Sequence, residues 1–175
     1  MLRVALLDYQ PEIWRRMIVP GAVRLNKLDR IIQESMGWTN SHLHTFQIGE
    51  ARYGMQFDEY PEGELDEKKF TLAAVVGLGD RFIYEYDFGD SWEHEVVVEA
   101  VSTVRPTLQM SVCLDGANAC PPEDVGGTWG YAELLEVLAD PTHEDYKHYS
   151  SWAGKNYDPT KFDLAQVNAS LQELG

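Results

Sequence analysis

Apolar and polar residues alternate at the start of the chain, and a helical period then takes over. Leu2, Val4 and Leu6 alternate with Arg3 ahead of Asp8, the two-residue period of a strand. Pro11 interrupts this run. Residues 13–19, apolar at Ile13, Met17 and Val19 with Arg15 between, give a second strand and close an opening hairpin. From Leu25 the apolar positions are 25, 28, 31, 32 and 36, the spacing of one helix face, and Gly37 stands where a left-handed C-terminal cap belongs. Residues 43–48 read as a further strand, and 71–76 as either a short strand or a turn of helix.

The densest pattern is the run from Tyr84 to His94, two strands at about 81–87 and 92–101 joined by a tight turn. A two-residue loop would put Tyr84, Tyr86 and Phe88 on one face with Glu93 and Glu95. A three-residue loop, Gly89-Asp90-Ser91, pairs Phe88 with Trp92, Tyr86 with His94, Tyr84 with Val96 and Phe82 with Val98. One face is then apolar or aromatic, and the other carries Glu85, Asp87, Glu93, Glu95 and Glu99. Because a slip of one residue turns every side chain over, burial selects the odd loop and puts His94 on the core face.

The remaining pattern is less regular. Residues 57–69, with six carboxylates, Pro61 and Gly63, read as a solvated loop; they lack the spacing of a calcium-binding loop. Residues 102–127 look irregular, punctuated by Pro106, Gly116, Pro121-Pro122 and Gly126-Gly127. Thr128 can cap a helix over 129–139 that stops at Asp140-Pro141, and Asp158-Pro159 resembles the start of a last helix carrying Leu164, Val167, Leu171 and Leu174. No repeat or linker divides the chain. The expectation is one α+β domain over 1–175: a mainly antiparallel sheet, an early helix packed on it and two C-terminal helices.

Composition narrows the partners. The 175 residues suffice to bury roughly 70% of the unfolded surface without staples. Fourteen Lys and Arg against 29 Asp and Glu give a net charge of −15 and a pI near 4.6. Such a surface repels phosphate backbones, so direct nucleic-acid binding is disfavoured, whereas a basic protein partner or a cation is not. There is no signal-peptide pattern at the N-terminus and no apolar run long enough for a membrane span, so the expected location is the cytoplasm. Cys113 and Cys120 are then expected as reduced thiols. Their x6 spacing has no second cysteine pair to complete a zinc site, and a site borrowing His143 or His148 is not indicated.

Candidate chemistry lies in three places. His42-Leu43-His44 sets two imidazoles on one side of a strand, a spacing that binds a divalent metal when a third ligand arrives from His94, Asp87 or Glu123. The competing reading has one histidine capping a loop and the other packed beside Phe46. His94 is either a neutral core imidazole with a hydrogen-bond partner or a rigidly held ligand or base. Asp87 and Asp90 flank a glycine, where bonding to turn amides competes with an outward chemical role. Glu123 and Asp124 precede a helix N-terminus, whose dipole alone accounts for carboxylates there. No P-loop, dinucleotide fingerprint, nucleophile elbow or zinc-protease signature occurs.

Five segments occur in an order that resembles a known family: Pro11-x-Ile13-Trp14-Arg15-Arg16; Met36-Gly37-Trp38; His42-Leu43-His44-x-Phe46; the 84–94 run; and Cys120-Pro121-Pro122-Glu123-Asp124-x-Gly126-Gly127. They are similar to the plasmid ORF-3-like family, over nearly the whole chain. The resemblance implies a compact α+β domain and, for some members, association with insertion elements as passenger proteins; it implies no enzymatic activity. Many relatives carry a further cysteine where this chain has Val125, which argues against a cysteine metal site at that loop. Two functions follow as expectations. One is a non-enzymatic acidic module that binds a protein partner, with links to mobile DNA and outward aromatics such as Trp129 and Trp152. The other is a metal-dependent hydrolase or nuclease-like enzyme, with His42, His44, His94, Asp87 and Asp90 around a divalent ion and Glu123 as base on its water.

Overall fold

The computed structural model describes residues 1–56, 63–102, 110–154 and 156–174. The opening hairpin forms as its pattern requires, from β1 (Leu2–Leu6) and β2 (Trp14–Ile18), and is followed by α1 (Leu25–Met36). Gly37 closes α1 with φ 114°, and its N–H donates to Gln33 O at 2.8 Å. The chain continues through β3 (His44–Ile48), β4 (Ala51–Gly54), β5 (Glu64–Asp66), a 3-10 turn (Glu67–Lys69) and the short α2 (Leu72–Val75). The central hairpin β6 (Arg81–Tyr86) and β7 (Trp92–Val98) comes next, then β8 (Val112–Ala117). The last helices are α3 (Gly127–Ala139), α4 (Tyr146–Ala153) and α5 (Leu164–Glu173).

All eight strands join one sheet in the order β5-β4-β3-β6-β7-β1-β2-β8, antiparallel except for the β4–β5 pair. The α+β architecture matches the sequence expectation, with α4 as a helix beyond the two expected at the C-terminal end. The apolar face of α1 supplies Leu25, Leu28, Ile32 and Met36 to a core shared with Val4, Phe82, Tyr84 and Val96 from the sheet. Arg15 is buried in this assembly without a carboxylate partner among the described residues. Its guanidinium donates instead to the carbonyls of Trp14, Ser35, Ala117 and Asn118 at 2.7–2.9 Å, tying β2 to the end of α1 and to the strand end of β8. Four carbonyl dipoles thus satisfy the buried charge.

The central hairpin keeps the expected parity and changes its register. Tyr86 faces Trp92, Tyr84 faces His94 and Phe82 faces Val96, two positions away from the three-residue-loop pairing. The connection therefore runs over 87–91. Asp87 and Ser91 both adopt left-handed backbone (φ 57° and 54°), Ser91 N–H donates to Asp87 O, and Asp87 Oδ1 accepts from Gly89 N–H at 2.9 Å. Local turn bonding wins over one further aromatic pair. Phe88 consequently leaves the core and stands 49% exposed, while Tyr84, Tyr86, Trp92 and His94 remain buried.

Other departures have local causes. β8 falls in the 102–127 stretch read as irregular; it is an edge strand with Gly116, paired to β2 across a bulge between Arg16 and Met17. The α5 cap is Asp163, which accepts from Gln166 N–H, while Asp158 folds into its own turn with Thr160. α3 begins at Gly127 after a left-handed Gly126, so Thr128 is inside the helix and does not cap it. Within 57–69, residues 57–62 lie outside the described residues; beyond them β5 pairs with β4, and Glu67 is buried. Both cysteines are free thiols, and burial pushes their pKa values up. No described helix is long and apolar enough to cross a membrane.

Two predictions follow from these contacts. Asn168 on α5 accepts from Cys113 N–H at 2.8 Å and donates to Cys113 O at 2.9 Å, covering backbone groups that β8 turns away from β2. Asn168→Ala should cost about 1–2 kcal/mol and raise self-association by uncovering that strand edge. Denaturant midpoints and light scattering check both effects, and an unchanged midpoint would refute the role. His94, sealed by burial, has its pKa lowered to about 4 from the ordinary 6.5. The unfolded chain therefore gains this proton first, and stability is lost as pH falls from 6.5 towards 4. Between pH 7 and 4, wild type should lose about 3 kcal/mol more than His94→Leu in urea titrations. Parallel pH profiles for the two proteins would contradict this account.

Candidate functional site

Three loops meet at the end of β6. The first is the 38–42 segment that leaves α1, the second is the 87–91 turn, and the third is the 119–127 segment that leads into α3. Trp38 follows the Gly37 cap directly, stacks on Tyr86 (centroids 4.7 Å, 28°) and donates its indole N–H to Pro121 O at 3.1 Å. Glu123 then becomes a shared acceptor. Its Oε1 takes hydrogen bonds from Thr39 N–H (2.8 Å), Thr39 Oγ1 (3.0 Å) and Tyr86 Oη (3.0 Å). Tyr86 Oη in turn accepts from Ser41 N–H at 3.1 Å, and burial pushes the phenol's pKa up. Glu123 thus fastens the third loop to the first two, a role beyond the helix-dipole explanation.

Backbone contact completes the junction. Asp90 Oδ2 accepts from Gly126 N–H at 3.0 Å. At Gly127 (φ 68°) a Cβ would stand 2.8 Å from Asp90 O, and at Gly130 one would stand 1.8 Å from Val125 O. Glycine at 127 lets the two turns approach so closely, and glycine at 130 lets α3 begin against the Val125 carbonyl.

His42 projects into this junction. Its Nε2 lies 3.0 Å from Asp124 Oδ1, 3.6 Å from Asp87 Oδ2 and 4.0 Å from Glu123 Oε2. That nitrogen is sealed from solvent and makes no contact of hydrogen-bond geometry. The Asp87 side chain is only 9% exposed; its Oδ1 serves the turn, and Oδ2 accepts no hydrogen bond among the described residues. Asp87 and Asp124 share an uncommon left-handed backbone, φ 57° at each. Among the described residues, His42, Asp87 and Asp124 form the one group of three metal-capable side chains with ligand atoms within 4.8 Å of one another.

The candidates from the sequence are thus redistributed. His42, Asp87 and Glu123 come together, with Asp90 serving the docking of the third loop. His44 does not join them. It lies between Glu67 (Nε2 to Oε2, 2.7 Å) and Asp29 (Nδ1 to Oδ1, 3.1 Å), in a triad whose side chains are at most 4% exposed. Burial opposes its charge, but the Glu67 and Asp29 carboxylates outweigh this and raise its pKa. The stabilisation from a protonated His44 is present below the ordinary imidazole value and is lost as pH rises through the raised one. His94 is elsewhere again, with Nδ1 against Tyr84 O at 3.2 Å and its ring edge-on to Trp38 at 5.2 Å. The Tyr84 ring contacts both His44 and His94, so the three histidines do not surround one ion.

The sequence pointed to Asp87, Asp90 and Glu123, and it gave Asp124, Thr39 and the Tyr86 hydroxyl no such role. One signal was available for Asp124, because Asp-x-Gly-Gly supplies residues that tolerate left-handed backbone on either side of Val125. Nothing local marks Glu67 as the partner of His44, since its neighbours in the acidic run look alike.

Comparison with known proteins puts this junction in context. The chain is 40% identical over 180 residues to an uncharacterised protein of Sinorhizobium fredii, covering 99% of this chain and 90% of that one. It is 23% identical over 133 residues to a small ribosomal subunit protein, mS75, of Arabidopsis thaliana; that match covers 71% of this chain and about a third (32%) of the plant protein. A crystal structure of a protein of unknown function from Methanosarcina mazei Go1 superposes with a TM-score of 0.86 at 35% identity, over 95% of each chain. The family model for plasmid pRiA4b ORF-3-like proteins matches residues 1–166, through all five of the motifs that build the sheet and the junction, and the chain belongs to that family.

Proposed function

We propose that the protein is a non-enzymatic interaction module that receives a basic, partly apolar segment of a protein partner at the three-loop junction. The observation that carries this reading is the exposure of large apolar side chains on the loops that bear the carboxylates. Phe88 adjoins Asp87 and is 49% exposed, and Trp129, in the first turn of α3, is 88% exposed. Leu43, next to His42, is exposed as well. Single exposed apolar residues are ordinary, but a tryptophan left almost wholly in solvent two residues beyond Gly127, together with an exposed Phe88 next to Asp87, is the composition of a binding rim.

Charge supports the same partner. At −15 overall, the chain attracts lysine and arginine and repels phosphate backbones. The plant relative is by name a component of the small ribosomal subunit, and that name supports a role in assembly; the family's plasmid origin supports a setting among mobile DNA. The enzyme alternative called for His42, His44 and His94 to surround one ion. That arrangement has no support, since His44 is held by two carboxylates and His94 is packed in the core.

The test is titration of the isotope-labelled protein with a synthetic peptide of mixed lysine and leucine, in buffer containing a chelator. Resonances of the Trp129 indole and the Phe88 and Gly126 amides should shift together, and binding should weaken with added salt. Phe88→Ala and Trp129→Ala should each weaken binding at least fivefold, on the order of 1 kcal/mol for a rim anchor. Shifts spread over unrelated surfaces, or binding indifferent to both substitutions, would refute the proposal.

A further inference from the structure

The geometry points to a divalent metal site formed by His42 Nε2, Asp87 Oδ2 and Asp124 Oδ1, selective for a first-row ion of the manganese, iron or zinc class. With metal–ligand bonds of about 2.0–2.2 Å, neighbouring ligand atoms around one ion stand about 3.0–3.5 Å apart. The His42 Nε2 separation of 3.0 Å to Asp124 falls within that spacing, and that of 3.6 Å to Asp87 lies just beyond it.

The state of the imidazole fits an ion as well. An ordinary His–Asp pair aims its N–H at a carboxylate oxygen, yet Nε2 is buried at 3.0 Å from Asp124 without hydrogen-bond geometry. If Nε2 carries the proton, a buried donor goes unsatisfied; if it carries the lone pair, that pair faces carboxylate oxygens. A cation between them removes either cost. Asp87, nine-tenths buried and with Oδ2 accepting no hydrogen bond among the described residues, adds an acceptor aimed at the same point.

Ligand chemistry selects the ion. One imidazole with two carboxylates suits manganese, iron or zinc; calcium and magnesium prefer oxygen alone. Cys120 does not group with these three ligand atoms. Glu123, held by Thr39 and Tyr86 with Oε2 4.0 Å from His42 Nε2, adds negative charge beside the ion. With Asp87, Asp90, Glu123 and Asp124 at the junction, a divalent ion leaves it negative, so the rim still favours a basic partner.

The inference stands apart from the partner reading, and the two fail separately because the peptide titration is run in chelator. The experiment is equilibrium dialysis of chelator-treated, untagged protein against Mn2+, Zn2+, Mg2+ or Ca2+, with bound metal counted by elemental analysis. Wild type should take up one Mn2+ or Zn2+ per chain, at least tenfold more tightly than Mg2+ or Ca2+, with a rise in melting temperature. His42→Ala and Asp124→Asn, both on loops, should each weaken uptake at least tenfold while remaining folded. His143→Ala, at an exposed histidine elsewhere, should leave it unchanged. Absence of stoichiometric uptake would overturn the assignment. So would uptake indifferent to His42→Ala and Asp124→Asn, or equal uptake of all four ions.

Discussion

The hydrogen bonding of Glu123 to Tyr86 and Thr39 is the constraint on which the functional end of the molecule depends. Tyr86 belongs to the central hairpin, Thr39 to the segment that leaves α1, and Glu123 to the loop before α3. These elements are far apart in sequence, and each has its own reason to fold. This shared carboxylate joins all three where His42, Asp87 and Asp124 come together. Trp38 reinforces the arrangement by stacking on Tyr86 while its indole N–H reaches Pro121 O. An aromatic core and a polar clasp therefore meet at one tyrosine, with its ring in the core and its hydroxyl at the clasp.

The turn of the central hairpin shows how the sheet and the site are linked. Extending the aromatic pairing to Phe88 would have buried one more ring and drawn Asp87 into regular strand geometry. The observed 87–91 turn instead gives Asp87 a left-handed backbone, sets its Oδ1 on Gly89 and leaves Oδ2 towards His42. The same choice puts Phe88 in solvent. A modest loss of burial, on the order of 1 kcal/mol for a half-exposed ring, is thus exchanged for a placed carboxylate and an exposed anchor.

Elements with a long, regular period were legible in the sequence. The 25–36 helix with Gly37, the opening hairpin and the parity of the 81–98 strands all follow from spacing, as does the burial of His94. The pairing offset was not legible, because shifting it by two residues leaves the face pattern the same, and turn bonding at Asp87 and Ser91 decided it. β8 was hidden because Gly116 and the bulge at its β2 partner mask its alternation, and because Asn168 covers its open edge from 55 residues away. His42 and His44 illustrate the limit for the site. Two residues apart, they look like one motif, yet Glu67 and Asp29 claim one and Asp87 and Asp124 the other, through contacts that no local window contains.

A double-mutant cycle between Tyr86→Phe and Glu123→Ala, read by denaturant unfolding, tests the central role of the clasp most directly. Tyr86→Phe keeps the ring in the core and removes only the hydroxyl. The account predicts a coupling of about 1.5–3 kcal/mol, the range for a hydrogen bond to a charged group. Additivity of the two substitutions within about 0.3–0.5 kcal/mol would mean that the three loops are held together by something other than this bond, and would contradict the account.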